Sequence, residues 1–253
     1  MRPAKVISIV NRRGGAGKTV TASNIGIGLA IRNYKVLFID LDSQGNLSYD
    51  LGIDEIKAPI LDVLAEDRNL EEAIVKTRAA DIAPSSASLA NANKIIQGRS
   101  QEYRLEEAIE PIKHEYDYII IDTAPALDIL TVNALTASDS VIIPAQAEVH
   151  SLQGIGLLYQ AIEAVKAYSN HSLKIEGILI TRYDRRTILS KDMRANIEET
   201  AEKMKTKVFK TAIRENVSIK EAQAVRTNIF FYAPNSNGAK DYNAVIDELL
   251  ENS

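Results

Sequence analysis

Three glycines, a lysine and a threonine close the stretch Asn11-Arg12-Arg13-Gly14-Gly15-Ala16-Gly17-Lys18-Thr19, which joins an apolar run at Val6 to Val10 to a helix-like segment beginning near Lys18. Residues of these types in this order suit the holding of a phosphate chain. Glycines at 14, 15 and 17 open backbone conformations that a Cβ would close, so that successive N–H groups turn inward onto one anion at a helix N-terminus. Lys18 adds a cation for the outer phosphates, and the Thr19 hydroxyl is placed to ligate Mg²⁺. The expected nucleotide contacts therefore run from Gly14 through Gly15, Ala16, Gly17, Lys18 and Thr19 to Val20.

Carboxylates follow at two later strand ends. Phe38-Ile39-Asp40-Leu41-Asp42-Ser43-Gln44-Gly45-Asn46 spaces two acids by one residue, which suits water-mediated contact with Mg²⁺ and polarisation of an attacking water. Tyr118-Ile119-Ile120-Ile121-Asp122 is an apolar strand delivering one carboxylate towards the metal shell. Four apolar residues and an aspartate are weak evidence alone. Preceded by Lys18 and Asp42, they complete a nucleotide-hydrolysing set.

These residues need strands that end side by side. Val6–Val10, Val36–Ile39, Tyr118–Ile121, Val141–Ile143 and Ile175–Ile180 read as strands buried on both faces, as in a parallel sheet. Helical patterns lie between them near 18–32, 104–115, 151–168 and 189–204, with Asn33 a left-handed stop for the first. The alternation predicts an α/β fold, a doubly wound, mostly parallel sheet flanked by helices, with its ligand site beyond the carboxyl ends of the strands. Residues 54–103 are less regular, with a turn cluster at Pro84–Ser88. Asn228-Ile229-Phe230-Phe231-Tyr232 reads as a short strand-like run, and the turn that follows it, through Pro234 and Asn235, suits the cover of a nucleotide base.

At 253 residues, with 45% hydrophobic and 25% charged side chains, the chain is expected to form a single domain over 1–253. It has no cysteine, which excludes disulfides and thiolate metal sites and fits a reducing cytoplasm. His114, His150 and His171 lack metal-ligand spacing. No apolar run approaches the ~20 residues that span a bilayer, and the acidic amphipathic segment Ala244–Glu251 reads as a packed terminal helix that an anionic membrane would repel. The net charge is −4, yet residues 182–226 hold 12 Lys/Arg against 7 Asp/Glu, a basic face suited to a polyanion.

The phosphate loop lacks the glycine of the strict P-loop pattern, with Arg12 in its place, and carries a basic residue directly before Gly-Gly-x-Gly-Lys-Thr. This resembles the deviant Walker A group of ParA/MinD-like ATPases, whose signature lysine reaches the partner's nucleotide across a dimer; here the position is Arg13. The resemblance continues at residues 5–53, at Asp117–Val149 and at Lys207–Tyr242, and covers most of the chain. Length and the absence of an N-terminal extension fit the small ParA/Soj subgroup without a helix-turn-helix domain. The resemblance puts the hydrolytic aspartate at Asp42, with Asp40 in support near the metal beside Thr19 and Asp122, and Ser43 where relatives have proline. It implies ATP and Mg²⁺ as cofactors, and Arg182 with Pro234 and Asn235 around adenine.

It further implies an ATP-dependent homodimer that binds nonspecific DNA, is released when a ParB-like centromere-binding partner stimulates hydrolysis, works in the cytoplasm on the nucleoid and uses no membrane. The matching DNA-binding positions are Arg185, Arg186, Arg214 and Lys220; Arg214 stands where relatives often have proline and Ser218 where they often have arginine. Two other functions are consistent with the same residues, a ParA-type ATPase positioning a non-DNA cargo and a nucleotide-gated scaffold with little turnover.

Overall fold

The computed structural model describes residues 3–56, 58–66 and 68–251. Six strands form one sheet: β1 (Lys5–Ile9), β2 (Val36–Leu41), β3 (Asp81–Ala83), β4 (Tyr118–Thr123), β5 (Ser140–Gln146) and β6 (Lys174–Thr181), in the order β3-β2-β4-β1-β5-β6. Every neighbouring pair is parallel. Such strands need crossovers, and the helices supply them: α1 (Lys18–Ile31), α2 (Asn46–Asp50), α3 (Ile60–Glu66), α4 (Leu70–Ala73), α5 (Ala92–Ile95), α6 (Arg104–Ile109), α7 (Ile129–Ala137), α8 (Val149–Tyr168), α9 (Ile188–Lys203), α10 (Val217–Ala224), α11 (Ile229–Tyr232) and α12 (Asn237–Glu251).

Side chains alternate across each strand, and the core divides accordingly. Ile7, Ile9, Phe38 and Ile120 pack on one face with Ile25 and Leu29 of α1 and Val245, Ile246 and Leu249 of α12. Val6, Leu37, Ile39, Ile119 and Ile121 pack on the other with α3, α6 and α7. Val141, Ile143, Ile178 and Ile180 meet α8 and α9. The order reverses at β1, whose neighbours are β4 and β5; at such a switch point the crossovers diverge and leave a crevice at the carboxyl edge.

Five of the six strands fall where the sequence puts them. Asn33 ends α1 with φ 67°, its N–H donating to the Ala30 carbonyl at 2.9 Å. The helix expected over 104–115 is shorter, since Pro111 interrupts it in a 3₁₀ turn at Glu110–Ile112. β3 was not expected. Asn228–Tyr232 is not a strand: the Asn228 side chain accepts from the amides of Phe230 and Phe231 and caps a one-turn helix.

Candidate functional site: a phosphate loop beside two unequal acids

The loop after β1 ends at Gly17, the residue before α1. Gly15 and Gly17 take φ of 76° and 90°, conformations a Cβ strains against. Gly14 does not have positive φ, so two of the three glycines carry the turn. The tail of β5 grips the loop. Asn11 donates to the Pro144 carbonyl, and Gln146 Nε2 donates to the Gly15 carbonyl at 2.6 Å. Thr181, at the end of β6, donates to the Ala16 carbonyl at 2.9 Å. With its carbonyls drawn towards β5 and β6, the loop is left with amides for an anion. Lys18 lies back along it, Nζ 3.4 Å from the Arg13 carbonyl. Burial lowers the Lys18 pKa, and the charges of Asp122 and Asp42 oppose that shift.

Asp40 and Asp122 stand in register on adjacent strands. Each shares the parity of its neighbour, Phe38 or Ile120, and so faces the α1 side, where Lys18 and Thr19 begin the helix. Both are fully buried, yet their surroundings differ. Asp40 accepts from the Ser48 amide at 2.9 Å, the Ser48 hydroxyl at 2.7 Å and the Asp42 amide at 3.1 Å. Burial still pushes its pKa to about 6, against those hydrogen bonds and with the charge of Asp42 adding to the rise.

Neither oxygen of Asp122 makes a hydrogen bond of ordinary geometry, and only the Thr19 hydroxyl stands near enough to favour its charge as a donor. Burial raises its pKa well above the usual range, the charge of Asp40 adds to this, and the nearby Thr19 hydroxyl and Lys18 ammonium only partly offset it. A bare buried carboxylate next to a helix-terminal threonine is a donor set for a divalent cation. Among the described residues no three His, Cys, Asp or Glu side chains gather to hold a metal unaided. An ion here would complete its shell with phosphate oxygens and water, as Mg²⁺ does.

Asp42 lies just past β2. It accepts from the Gln44 amide at 3.0 Å, and its own carbonyl accepts from the Ser85 hydroxyl, while the Ser85 amide donates to Ser48 Oγ at 3.0 Å. The acid that turns the chain, Asp40, thus also fixes the one that follows it. Ser48 and Ser85 were not singled out in the sequence, nor were Asn11, Gln146 and Glu148; polar residues at the carboxyl end of an apolar strand, as in Pro144–Glu148, are the signal that finds the last two.

The remaining expected residues lie on the rim. Arg13 pairs with Glu148 at 2.5 Å. Arg182, with φ 51°, pairs with Glu215 at 2.7 Å, and Pro234 and Asn235 form the exposed turn before α12. Arg185 is exposed, Arg186 lies 2.9 Å from Asp184, and Lys220 lies 2.8 Å from Glu215. Arg214 is half-buried and forks onto Asp241, Nη2 to Oδ1 at 2.6 Å and Nε to Oδ2 at 2.9 Å, which ties it to α12.

A glycine-rich loop between the central strand and its helix, faced by a buried acid on the adjacent strand, defines a P-loop nucleotide-binding protein. A family model described as an AAA domain matches residues 4–175. The chain is 40% identical over 253 residues to the sporulation initiation inhibitor protein Soj of Bacillus subtilis (strain 168), taking in 98% of this chain and 99% of that protein. It is 37% identical over 252 residues to the chromosome partitioning protein ParA of Myxococcus xanthus (strain DK1622), with 98% and 88% covered. A solved structure of cobyrinic acid a,c-diamide synthase from Mycobacterium smegmatis with bound ATP analog and magnesium superposes with a TM-score of 0.85 at 31% identity, covering 98% of this chain and 95% of that one. The chain belongs to the ParA/Soj family of P-loop ATPases.

Proposed function

We propose that the protein is a partitioning ATPase, a single domain over 1–253, that pairs on Mg²⁺-ATP, binds DNA without sequence preference as the pair, and is released when a ParB-like partner stimulates hydrolysis. The reading rests on likeness to Soj across 98% of this chain and 99% of that protein. The inward-facing loop amides and Lys18 hold the phosphates, and Thr19 and Asp122 hold the metal. Bound Mg²⁺ would neutralise charge between the outer phosphate oxygens. Asp40 acts in support, fixing the turn that carries Asp42, and Asp42 orients the attacking water. Arg13 stabilises phosphate charge across the subunit interface, its fork able to meet two oxygens at once. Arg182, Pro234 and Asn235 border the base.

For DNA, the exposed Arg185, Arg186 and Lys220 are the stronger contacts, since the ion pairs of the last two are exposed and exchange readily, and Arg214 contributes less because it is half-buried on the buried Asp241. Phosphate contact needs charge near the backbone and no base-edge geometry. No helix among the described residues is long and apolar enough to cross a membrane. The test is binding to an unrelated DNA duplex with Mg²⁺-ATP, with Mg²⁺-ADP and without nucleotide, across a salt series. Salt-sensitive binding with ATP alone is expected; no binding in any state, with ATP binding intact, would remove the DNA-carrier reading.

A further inference from the structure

Alternate residues from the end of β5 to the start of α8 reach the phosphate loop. Pro144 and Gln146 meet Asn11 and Gly15 through a main-chain group at one end of each contact, and both contacts hold the loop's shape. Glu148, two residues on, differs from them. It is the N-cap of α8, yet its side chain caps no amide there. It reaches instead across 135 positions of sequence to the Arg13 guanidinium. A carboxylate beside a phosphate site repels the ligand unless a cation covers it, and the cation covering it is the one the nucleotide cycle needs elsewhere.

The pair is built to come apart. Both side chains are partly exposed, at 32% and 48%, where ion pairs are weak. Arg13 Nη1 is buried without a hydrogen-bond partner, so the guanidinium is not fully satisfied where it lies. Glu148 also acts electrostatically on Arg182, so releasing Arg13 leaves it near another cation. Arg182 is itself paired with Glu215, so it softens the loss of Arg13 without replacing it as a partner of Glu148.

We propose that Glu148 is a positioning residue that parks Arg13 on its own subunit's phosphate loop until a nucleotide phosphate takes the guanidinium over. This rests on the nucleotide-driven pairing proposed above. Glu148 then sets the threshold for pairing, since any ligand of Arg13 must outcompete it.

The experiment labels the nucleotide-free full chain with phenylglyoxal and follows Arg13 by peptide mass spectrometry, with the exposed Arg99 as internal reference. Glu148→Gln keeps the side chain's shape and removes its charge. It should raise the Arg13 labelling rate about two- to fivefold, the range set by a partly exposed ion pair, and leave Arg99 unchanged. Equal Arg13 rates in the two proteins would overturn the proposal. Sedimentation in Mg²⁺-ATP gives a second readout: Glu148→Gln should move the monomer–dimer midpoint to lower protein concentration by a similar factor, and this shift should vanish in an Arg13→Ala background. A shift that survives Arg13→Ala, or runs the other way, would also overturn it. If both proteins stay monomeric in Mg²⁺-ATP at every concentration, the pairing reading fails, and the labelling rates still decide whether Glu148 parks Arg13.

Discussion

Asp122 costs the nucleotide-free protein stability, and Asp122→Asn should therefore make it more heat-resistant while disabling it. Its carboxylate is fully buried with neither oxygen in a hydrogen bond of ordinary geometry, and burial together with the Asp40 charge outweighs the help from Thr19 and Lys18, so its pKa is raised well above 3.8. An acid whose pKa rises on folding favours the fold below its unfolded pKa, and that contribution is lost as pH climbs towards the folded value. The penalty is thus absent near pH 3.8 and grows on the way to neutrality. Asparagine stays unpartnered and loses only the charge, so the gain is the difference between a buried charged group and a buried neutral one, roughly 1–3 kcal/mol. For a chain of this size each kcal/mol moves Tm by about 2–4 °C, giving a rise of roughly 2–12 °C at pH 7.5. The assay is calorimetric melting of parent and variant without nucleotide at pH 7.5 and pH 4.5, repeated with Mg²⁺-ATP. The gain should shrink at the lower pH, and Mg²⁺-ATP should stabilise the parent by more than the variant. A variant that melts below the parent at pH 7.5, or a gain that ignores pH, would refute the claim that Asp122 is an under-compensated charge awaiting a cation.

Lys18→Ala should abolish nucleotide-dependent pairing in sedimentation, and Asp42→Ala should preserve pairing while stopping phosphate release; turnover at the parent rate in Asp42→Ala would remove Asp42 from catalysis. Gly26→Ala drives a methyl into the Phe38 ring, where α1 crosses β2, and should lower stability by about 1–3 kcal/mol in urea unfolding. Arg186→Ala should reduce the slope of log affinity for DNA against log salt by about one. Arg214→Ala should leave that slope nearly unchanged and instead cost about 1–3 kcal/mol of stability, because it strands the buried Asp241.

The parts of the site that sequence revealed are those whose chemistry is local. The phosphate loop and the strand-end acids at 40, 42 and 122 each announce themselves within a few residues, because a parallel strand buried on both faces leaves its first polar residue at the carboxyl edge. Pairings between distant segments leave no such mark. The basic excess over 182–226 is visible as a count, yet Asp241 takes the fork of Arg214 from outside that window, and Arg13 meets its acid across 135 positions. β3 escaped because three residues, Asp81-Ile82-Ala83, are too few to show a period. Asn228–Tyr232 misled because aromatic and β-branched residues favour strands until an asparagine caps them into a turn of helix.

The asymmetry between Asp40 and Asp122 follows from one serine. Adjacent parallel strands in register put both carboxylates on the same face, under the start of α1, so two charges compete for one buried space. Ser48 meets Asp40 with its amide and its hydroxyl and passes the arrangement on to Ser85 and the Asp42 turn; Asp40 has few lone pairs left to offer an ion. Asp122 receives none of this. In an unliganded fold that is a defect, and a core this apolar would be more stable without it. In a fold that gains stability by mass action whenever ligand binds, the unsatisfied acid makes nucleotide binding worth more, because the incoming cation relieves a cost the native state carries. The same strand ends thus build one acid into the scaffold and leave the other to the ligand.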